Sequence, residues 1–345
     1  MKFPVRVIAK LVFLAVVVAL FVVGVLLAWS TSWRSDKIAA LDGASEVAKT
    51  KAGAVEFLIG GEGPAVLVFH GAPGGYDQAM LLASGLRDDG FQVIAPSRPG
   101  YLRTPLETGL LPMQQADAMA ALLDDLGVQS VAVLGFSEGA PAALHFALKY
   151  PQRVAALALL SPVTRRFDPN APEKTAGVEF GREILGGLTG DVGAWAAFEI
   201  AERDPRRGVE WLLGLTSALD DSQRGATAHL VAANLDQRDW FRSLIGTFNP
   251  LSLRETGARN DLQQIRALEV LPFAKVAAPT LFIHGDQDRC VPIADSRAAV
   301  ADLPGATLLE VPGAGHIVQL GEQSGEVQKK LAEFFRQYTG GQGHP

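Results

Sequence analysis

The sequence predicts an α/β fold with a mostly parallel central sheet, an all-helical insertion and an N-terminal helix of membrane-spanning length. Three observations predict it. Short, largely apolar runs recur at 54–59, 65–69, 91–95, 131–134, 155–160, 280–283 and 306–311. Stretches with helical spacing stand between or after them, at 113–126, 140–150 and 321–338. The alternation then stops between 163 and 270, where no strand-like run occurs. A continuous apolar run of strand length suits a strand covered on both faces. Strands alternating with helices give a parallel sheet. The uninterrupted helical region, with Trp195, Trp211 and Trp240 in it, reads as an insertion after the strand ending at Leu160.

The first element is different in kind. From Leu11 to Trp33 no residue carries a charge. As a helix this stretch is about 34 Å long, enough to cross a hydrocarbon layer of about 30 Å. Lys2, Arg6 and Lys10 precede it, and Trp29 and Trp33 close it. Flanking cations and interfacial indoles predict a single-pass anchor with a cytoplasmic N-terminus and an exported domain. A secretory signal cleaved near Ala28-Trp29-Ser30 is the alternative reading, and the core helix of a soluble protein is a third. The boundaries that follow are 1–33 for the N-terminus and anchor, 34–53 for a polar stalk and 54–162 for the first part of the core. The cap spans 163–270, the second part of the core 271–340 and a tail 341–345.

Composition limits the function. The chain has 345 residues, room for one large domain with an insertion or two modest domains. At 48% apolar residues it can bury a sizeable core. A net charge of -6 with no basic run disfavours a nucleic-acid partner. Cys290 is the single cysteine, so neither an internal disulfide nor a cysteine-ligated metal cluster can form. Its expected role is that of a small packed side chain.

Four segments carry chemistry. Gly135-Phe136-Ser137-Glu138-Gly139 joins an expected strand to an expected helix. A nucleophile on so sharp a turn needs small residues two positions either side, and the helix behind it favours negative charge. His70-Gly71-Ala72-Pro73-Gly74-Gly75 follows the strand 65–69. A Gly-rich loop there can aim a backbone N–H at a developing oxyanion, which makes the Ala72 and Glu138 N–H groups the expected donors. His284-Gly285-Asp286-Gln287-Asp288 brings acids to the C-terminal end of a strand, the edge where ligands bind in such sheets. Gly313-Ala314-Gly315-His316 brings a histidine to the same edge.

The order Ser, Asp, His along the chain is that of a nucleophile-elbow hydrolase. Of six histidines, only His316 stands on a sheet-edge loop after the acids. His70 is expected to hold its loop by hydrogen bonding and His284 to pack beneath the site. His145 and His229 fall in helical stretches and His344 in the tail.

Together with Arg98-Pro99-Gly100-Tyr101, these segments resemble the α/β-hydrolase superfamily over about residues 55–338. The resemblance implies that the acid is Asp288 rather than Asp286, because the family's acid stands third after the glycine. It implies a triad of Ser137, Asp288 and His316, a helical cap over 163–270, and no cofactor or metal. Epoxide hydrolases and haloalkane dehalogenases of the superfamily carry Asp where this chain has Ser137, which argues against both. Glu138 beside the nucleophile is unusual, and its carboxylate is expected to turn away or to pair with a basic group.

The expected activity is hydrolysis of a small or lipid-like carboxylic ester through an acyl-enzyme. Two alternatives stand beside it. One is a proline-iminopeptidase-like aminopeptidase, suggested by the His-Gly-x-Pro-Gly-Gly loop, with Glu199, Glu202 and Glu210 as cap carboxylates for a substrate amine. The other is a membrane-tethered binding protein that keeps the fold without the activity.

Overall fold

A computed structural model describes residues 5–166 and 190–340. The tail 341–345, residues 1–4 and the cap segment 167–189 lie outside the described residues.

Helix α1 (Val5–Ala44) opens the chain. Eight strands follow and form one sheet: β1 (Glu46–Thr50), β2 (Gly53–Gly60), β3 (Ala65–Phe69), β4 (Gln92–Pro96), β5 (Val131–Phe136), β6 (Val154–Leu160), β7 (Thr280–Gly285) and β8 (Thr307–Val311). Their order across the sheet is β1-β2-β4-β3-β5-β6-β7-β8. The β1–β2 and β2–β4 pairs are antiparallel and every other pair is parallel.

Why the runs read as continuous is visible in the packing. Val66 and Val68 of β3 join an apolar cluster on one face, with Leu82, Leu86 and Phe335. Leu67 and Phe69 join the cluster on the other face, with Met119, Leu122 and Phe146. Both faces are therefore dry, and polar residues have no place in the central strands. Each such Leu or Phe, fully buried, stabilises the fold by roughly 1.5–3 kcal/mol. The helices covering the sheet are α2 (Tyr76–Leu82), α3 (Ser84–Asp88), α4 (Pro112–Asp125), α5 (Ala140–Lys149), α11 (Ile293–Asp302) and α12 (Ser324–Thr339).

The insertion between β6 and β7 supplies α6 (Asp191–Arg203), α7 (Pro205–Thr216), α8 (Asp221–Ala233), α9 (Leu235–Gly246) and α10 (Glu255–Arg266). Leu212, Val209, Phe241 and Leu244 of this region are continuous with the core cluster under α12. Asp220 caps α8 by accepting from the Gln223 N–H, with the Gln223 side chain returning to the Asp220 N–H. That reciprocal capping box fixes where α8 starts.

The expected stalk over 34–53 is corrected. Helix α1 runs without a break to Ala44, and Glu46–Thr50 is the edge strand β1. The edge strand escapes a search for apolar runs because it is half-exposed, with Val47 itself facing water. The C-terminal part of α1 docks on the domain. Trp29 packs edge-on against Trp195 at 5.3 Å, Trp33 against Phe198 at 5.4 Å, and Arg34 pairs with Asp191. The Tyr76 hydroxyl donates to the Leu41 carbonyl over 2.7 Å. Upstream of Trp29 the helix is apolar and exposed, and long enough to cross a membrane.

Candidate active site

Ser137 sits at the turn between β5 and α5 with a φ of 50°. A non-glycine residue in this left-handed region is strained and persists where its surroundings over-determine it. Here the flanking glycines do so. A Cβ on Gly139 would lie 2.4 Å from the carbonyl oxygens of Phe69 and His70. A Cβ on Gly135 would lie 2.9 Å from the Ala143 Cβ. The turn is therefore wedged between β3 and α5, and the serine is pushed out at the carboxyl edge of the sheet.

His316 reaches this edge from the loop after β8. Its Nε2 lies 2.8 Å from Ser137 Oγ, and its Nδ1 lies 2.8 Å from Asp288 Oδ2. The loop is held by the Ser161 hydroxyl, which donates to the His316 carbonyl, and by the His316 N–H, which donates to the Thr216 carbonyl at the end of α7. Asp288, on the loop after β7, is fully enclosed. Its Oδ1 accepts from the Cys290 and Val291 N–H groups at 2.8 and 2.9 Å. Its Oδ2 accepts from His316 and, at 3.0 Å, from His284 Nε2. Asp286 instead accepts from the Gly313 N–H and only ties two loops together.

Charge follows geometry. Burial alone would raise the Asp288 carboxyl, but the His316 charge and the two imidazole hydrogen bonds hold it below the usual carboxylate range. Burial alone would lower His316, but the Asp288 carboxylate, and then that of Glu138, hold it above the ordinary imidazole value.

The loop after β3 is braced from below. His70 Nε2 accepts from the Arg98 N–H at 2.9 Å, so the ring proton is assigned to Nδ1, which donates to the Gly71 carbonyl at 2.7 Å. His70 is thus neutral and structural; burial, with Arg98 next, pushes it well below the ordinary imidazole value. Gln78 accepts from the Gly71 N–H and donates to the Pro73 carbonyl. The Ala72 N–H faces the Ser137 turn.

Glu138 departs from expectation. Its carboxylate neither turns away nor pairs with a base. It folds back into the site, where Oε2 accepts from Ser137 Oγ at 2.5 Å and from the Ala72 N–H at a longer 3.4 Å. Nothing in the local sequence pattern signals this, because a glutamate rotamer is decided by what lies across the turn.

The sequence profile of the α/β hydrolase fold matches residues 64–323. The chain belongs to the α/β hydrolase fold family. This hydrolase is 27% identical over 294 residues to the hydrolase YcgS of Bacillus subtilis, covering 82% of this chain and 95% of that one. It is similar to an α/β hydrolase fold protein from Nakamurella multipartita, with a TM-score of 0.75, 29% identity, and coverage of 85% and 99% of the two chains. A membrane phospholipase A shares the fold at 19% identity and a TM-score of 0.61, over 96% of this chain and 98% of that one.

In this α/β hydrolase a cleft, open at its mouth, descends to His316 and Glu138. Phe136, Val291 and Ile317 of the core and Val163, Leu244, Phe248 and Ile265 of the insertion make it chiefly apolar. None of Trp195, Trp211 and Trp240 borders it. Trp195 meets Trp29, Trp240 donates to the Leu81 carbonyl, and Trp211 is exposed. Glu199, Glu202 and Glu210 do not border it either; they pair with Arg203, Arg242 and Arg206.

Two buried arginines tie the insertion to the core beside this cleft. Arg98 forms a bidentate pair with Asp261 of α10, at 2.9 and 2.5 Å. Arg254 pairs with Asp77 of α2 and donates to the Gly74 carbonyl. Asp261 and Arg254 carry no sequence signal, since each partner lies more than 150 residues away.

Among the described residues, Asp288, Cys290 and His316 are close enough to converge on one ion. Their donors are engaged otherwise: both Asp288 oxygens and both His316 nitrogens are hydrogen-bonded, and burial pushes the Cys290 thiol well up. A metal fits this set poorly.

Proposed function

We propose that this hydrolase is a membrane-anchored serine esterase in which Ser137, His316 and Asp288 form the catalytic triad. The observation that carries the reading is the unbroken hydrogen-bond chain from Asp288 through His316 to Ser137 Oγ, at the foot of an apolar cleft.

Ser137 Oγ attacks the ester carbonyl carbon while its proton passes to His316 Nε2, and the carbonyl electron pair moves onto oxygen. The Ala72 and Glu138 N–H groups hold that oxygen; one such donor lowers the barrier by about 3 kcal/mol. Collapse breaks the ester C–O bond, and Nε2 returns the proton to the departing alkoxide. Water, deprotonated by Nε2, then attacks the acyl-enzyme and frees the acid and Ser137. Asp288 keeps the imidazole in the Nδ1–H tautomer and stabilises its cation.

The cleft's apolar walls favour a small or lipid-like acyl chain, each buried CH₂ contributing about 0.8 kcal/mol. For the location, continuity of α1 from its exposed apolar part into residues that pack on the domain supports an uncleaved anchor, since cleavage near Ser30 would remove Trp29 from Trp195. The preceding cations favour an extracytoplasmic domain. Glu199, Glu202 and Glu210 pair with arginines away from the cleft, which removes the three carboxylates on which the aminopeptidase reading was built.

Full-length protein in detergent should hydrolyse p-nitrophenyl esters, with kcat/KM climbing along the acyl series, and leave a prolyl p-nitroanilide intact. Ser137→Ala should lose both turnover and fluorophosphonate labelling. Turnover that survives Ser137→Ala would overturn the reading, and no turnover of any ester would favour a binding protein.

A further inference from the structure

The Glu138 carboxylate lies against Ser137 Oγ and within 3.4 Å of the Ala72 N. Its Oε2 accepts from the Ala72 N–H, one of the two groups assigned to the oxyanion, and also from the nucleophile's own hydroxyl. We propose that Glu138 is a self-blocking group: in the resting enzyme it fills the oxyanion site, and it must withdraw before an ester can bind. This inference rests on the esterase reading and adds a step to it.

Counting protons sharpens the proposal. The contacts Nε2···Oγ at 2.8 Å and Oγ···Oε2 at 2.5 Å are two hydrogen bonds and need two protons. The Ser137 hydroxyl supplies one. Because Oε2 accepts from that hydroxyl, the second sits on His316 Nε2. The competent state, with neutral His316 and a withdrawn carboxylate, holds only the hydroxyl proton. Unblocking therefore releases one proton, and low pH favours the blocked form.

A small second recess adjoins the cleft, bordered by Glu138 itself together with Arg98, Gln115 and Asp261. Of the other ionisable groups facing the site, Asp288 is held ionised, burial keeps Tyr101 and the Cys290 thiol protonated and His70 neutral, and His284 lies behind Asp288. Arg165 and Asp295 line the cleft farther along.

The test compares fluorophosphonate labelling rates of full-length wild type, Glu138→Gln, Glu138→Ala and Ser137→Ala between pH 5 and 9. Both Glu138 variants should label faster at pH 6, by about tenfold for one hydrogen bond to a charged group no longer broken. Their acid limb should move to lower pH, because His316 loses a neighbouring carboxylate that favours its cation. A merely structural Glu138 would not move that limb. Equal or slower labelling of both variants with an unmoved limb overturns the inference alone, provided Ser137→Ala is silent. Labelling of Ser137→Ala at the wild-type rate overturns the esterase reading and this inference with it.

Discussion

Arg98, on the loop after β4, and Asp261, on α10, form a buried bidentate ion pair that joins the core to the helical insertion beside the Ser137 turn. The Tyr101 hydroxyl adds a third hydrogen bond to the same carboxylate. Arg98 also donates through Nε to the His70 carbonyl, so the pair and the loop bearing Ala72 are one network.

Removing one charge from this pair should cost far more than a surface ion pair. Asp261→Asn leaves the Arg98 guanidinium enclosed without its counter-ion, a loss of about 3–5 kcal/mol. The expected result is a lower denaturation midpoint, with kcat reduced because the Ala72 loop loses its brace. A change below about 1 kcal/mol in urea unfolding would show that the network does not hold the insertion in place.

Asp288→Asn tests the middle of the proposed triad. The amide can no longer act as the full acceptor for His316 Nδ1–H, and the imidazole cation loses its partner. In the esterase reading kcat falls by about 10³- to 10⁴-fold with KM little changed. The acid side of the stability profile should change as well. Asp288 is held below its ordinary value, so its contribution is present above the unfolded pKa and is lost as pH falls through the folded one. Melting curves from pH 3 to 7 should be flatter in the variant; parallel curves would contradict the assignment of the shift to this group.

What could be read from the chain, and what could not, follows from the range of each constraint. The positions of Ser137, Asp288 and His316 at one sheet edge were legible because each is tied to a local pattern. Gly139 must be small since Phe69 and His70 carbonyls crowd it, and Gly315 must be small since Ser217 does. The parallel strands were legible because both their faces are dry. The ion pairs Arg98–Asp261 and Arg254–Asp77 were not, because a buried charge looks in sequence like any surface charge until its partner is known. Strand β1 was missed because an edge strand keeps polar residues facing water, and the inward turn of Glu138 because no neighbour in sequence dictates it.

The pH dependence of turnover should show the raised His316 directly. In the esterase reading His316 works as a base only when neutral, and it is held above the ordinary imidazole value of about 6.5. Thus kcat/KM for a neutral ester should rise with pH along a one-proton limb centred above that value. Stability has the opposite sense: a raised folded pKa contributes below the unfolded value and is lost as pH rises through the folded one. A limb centred below 6.5 would mean that the Asp288 and Glu138 carboxylates do not outweigh burial.

The docking of α1 makes two truncations behave differently. Deleting residues 1–28 removes the exposed apolar part of the helix but leaves Trp29 on Trp195, Arg34 on Asp191 and the Leu41 carbonyl under Tyr76. That chain should leave the membrane fraction and keep its ester kcat. Deleting residues 1–44 also removes those contacts, the indoles that cover one face of α6 and the acceptor for the Tyr76 hydroxyl. An aromatic pair contributes about 0.5–1.5 kcal/mol beyond its buried area, and an orphaned buried hydroxyl costs about 1–3 kcal/mol. The second deletion should therefore melt at least about 5 °C below the first. Equal melting temperatures would mean that residues 29–44 are only a tether, and a 1–28 deletion that stays with membranes would mean that the bilayer is gripped elsewhere.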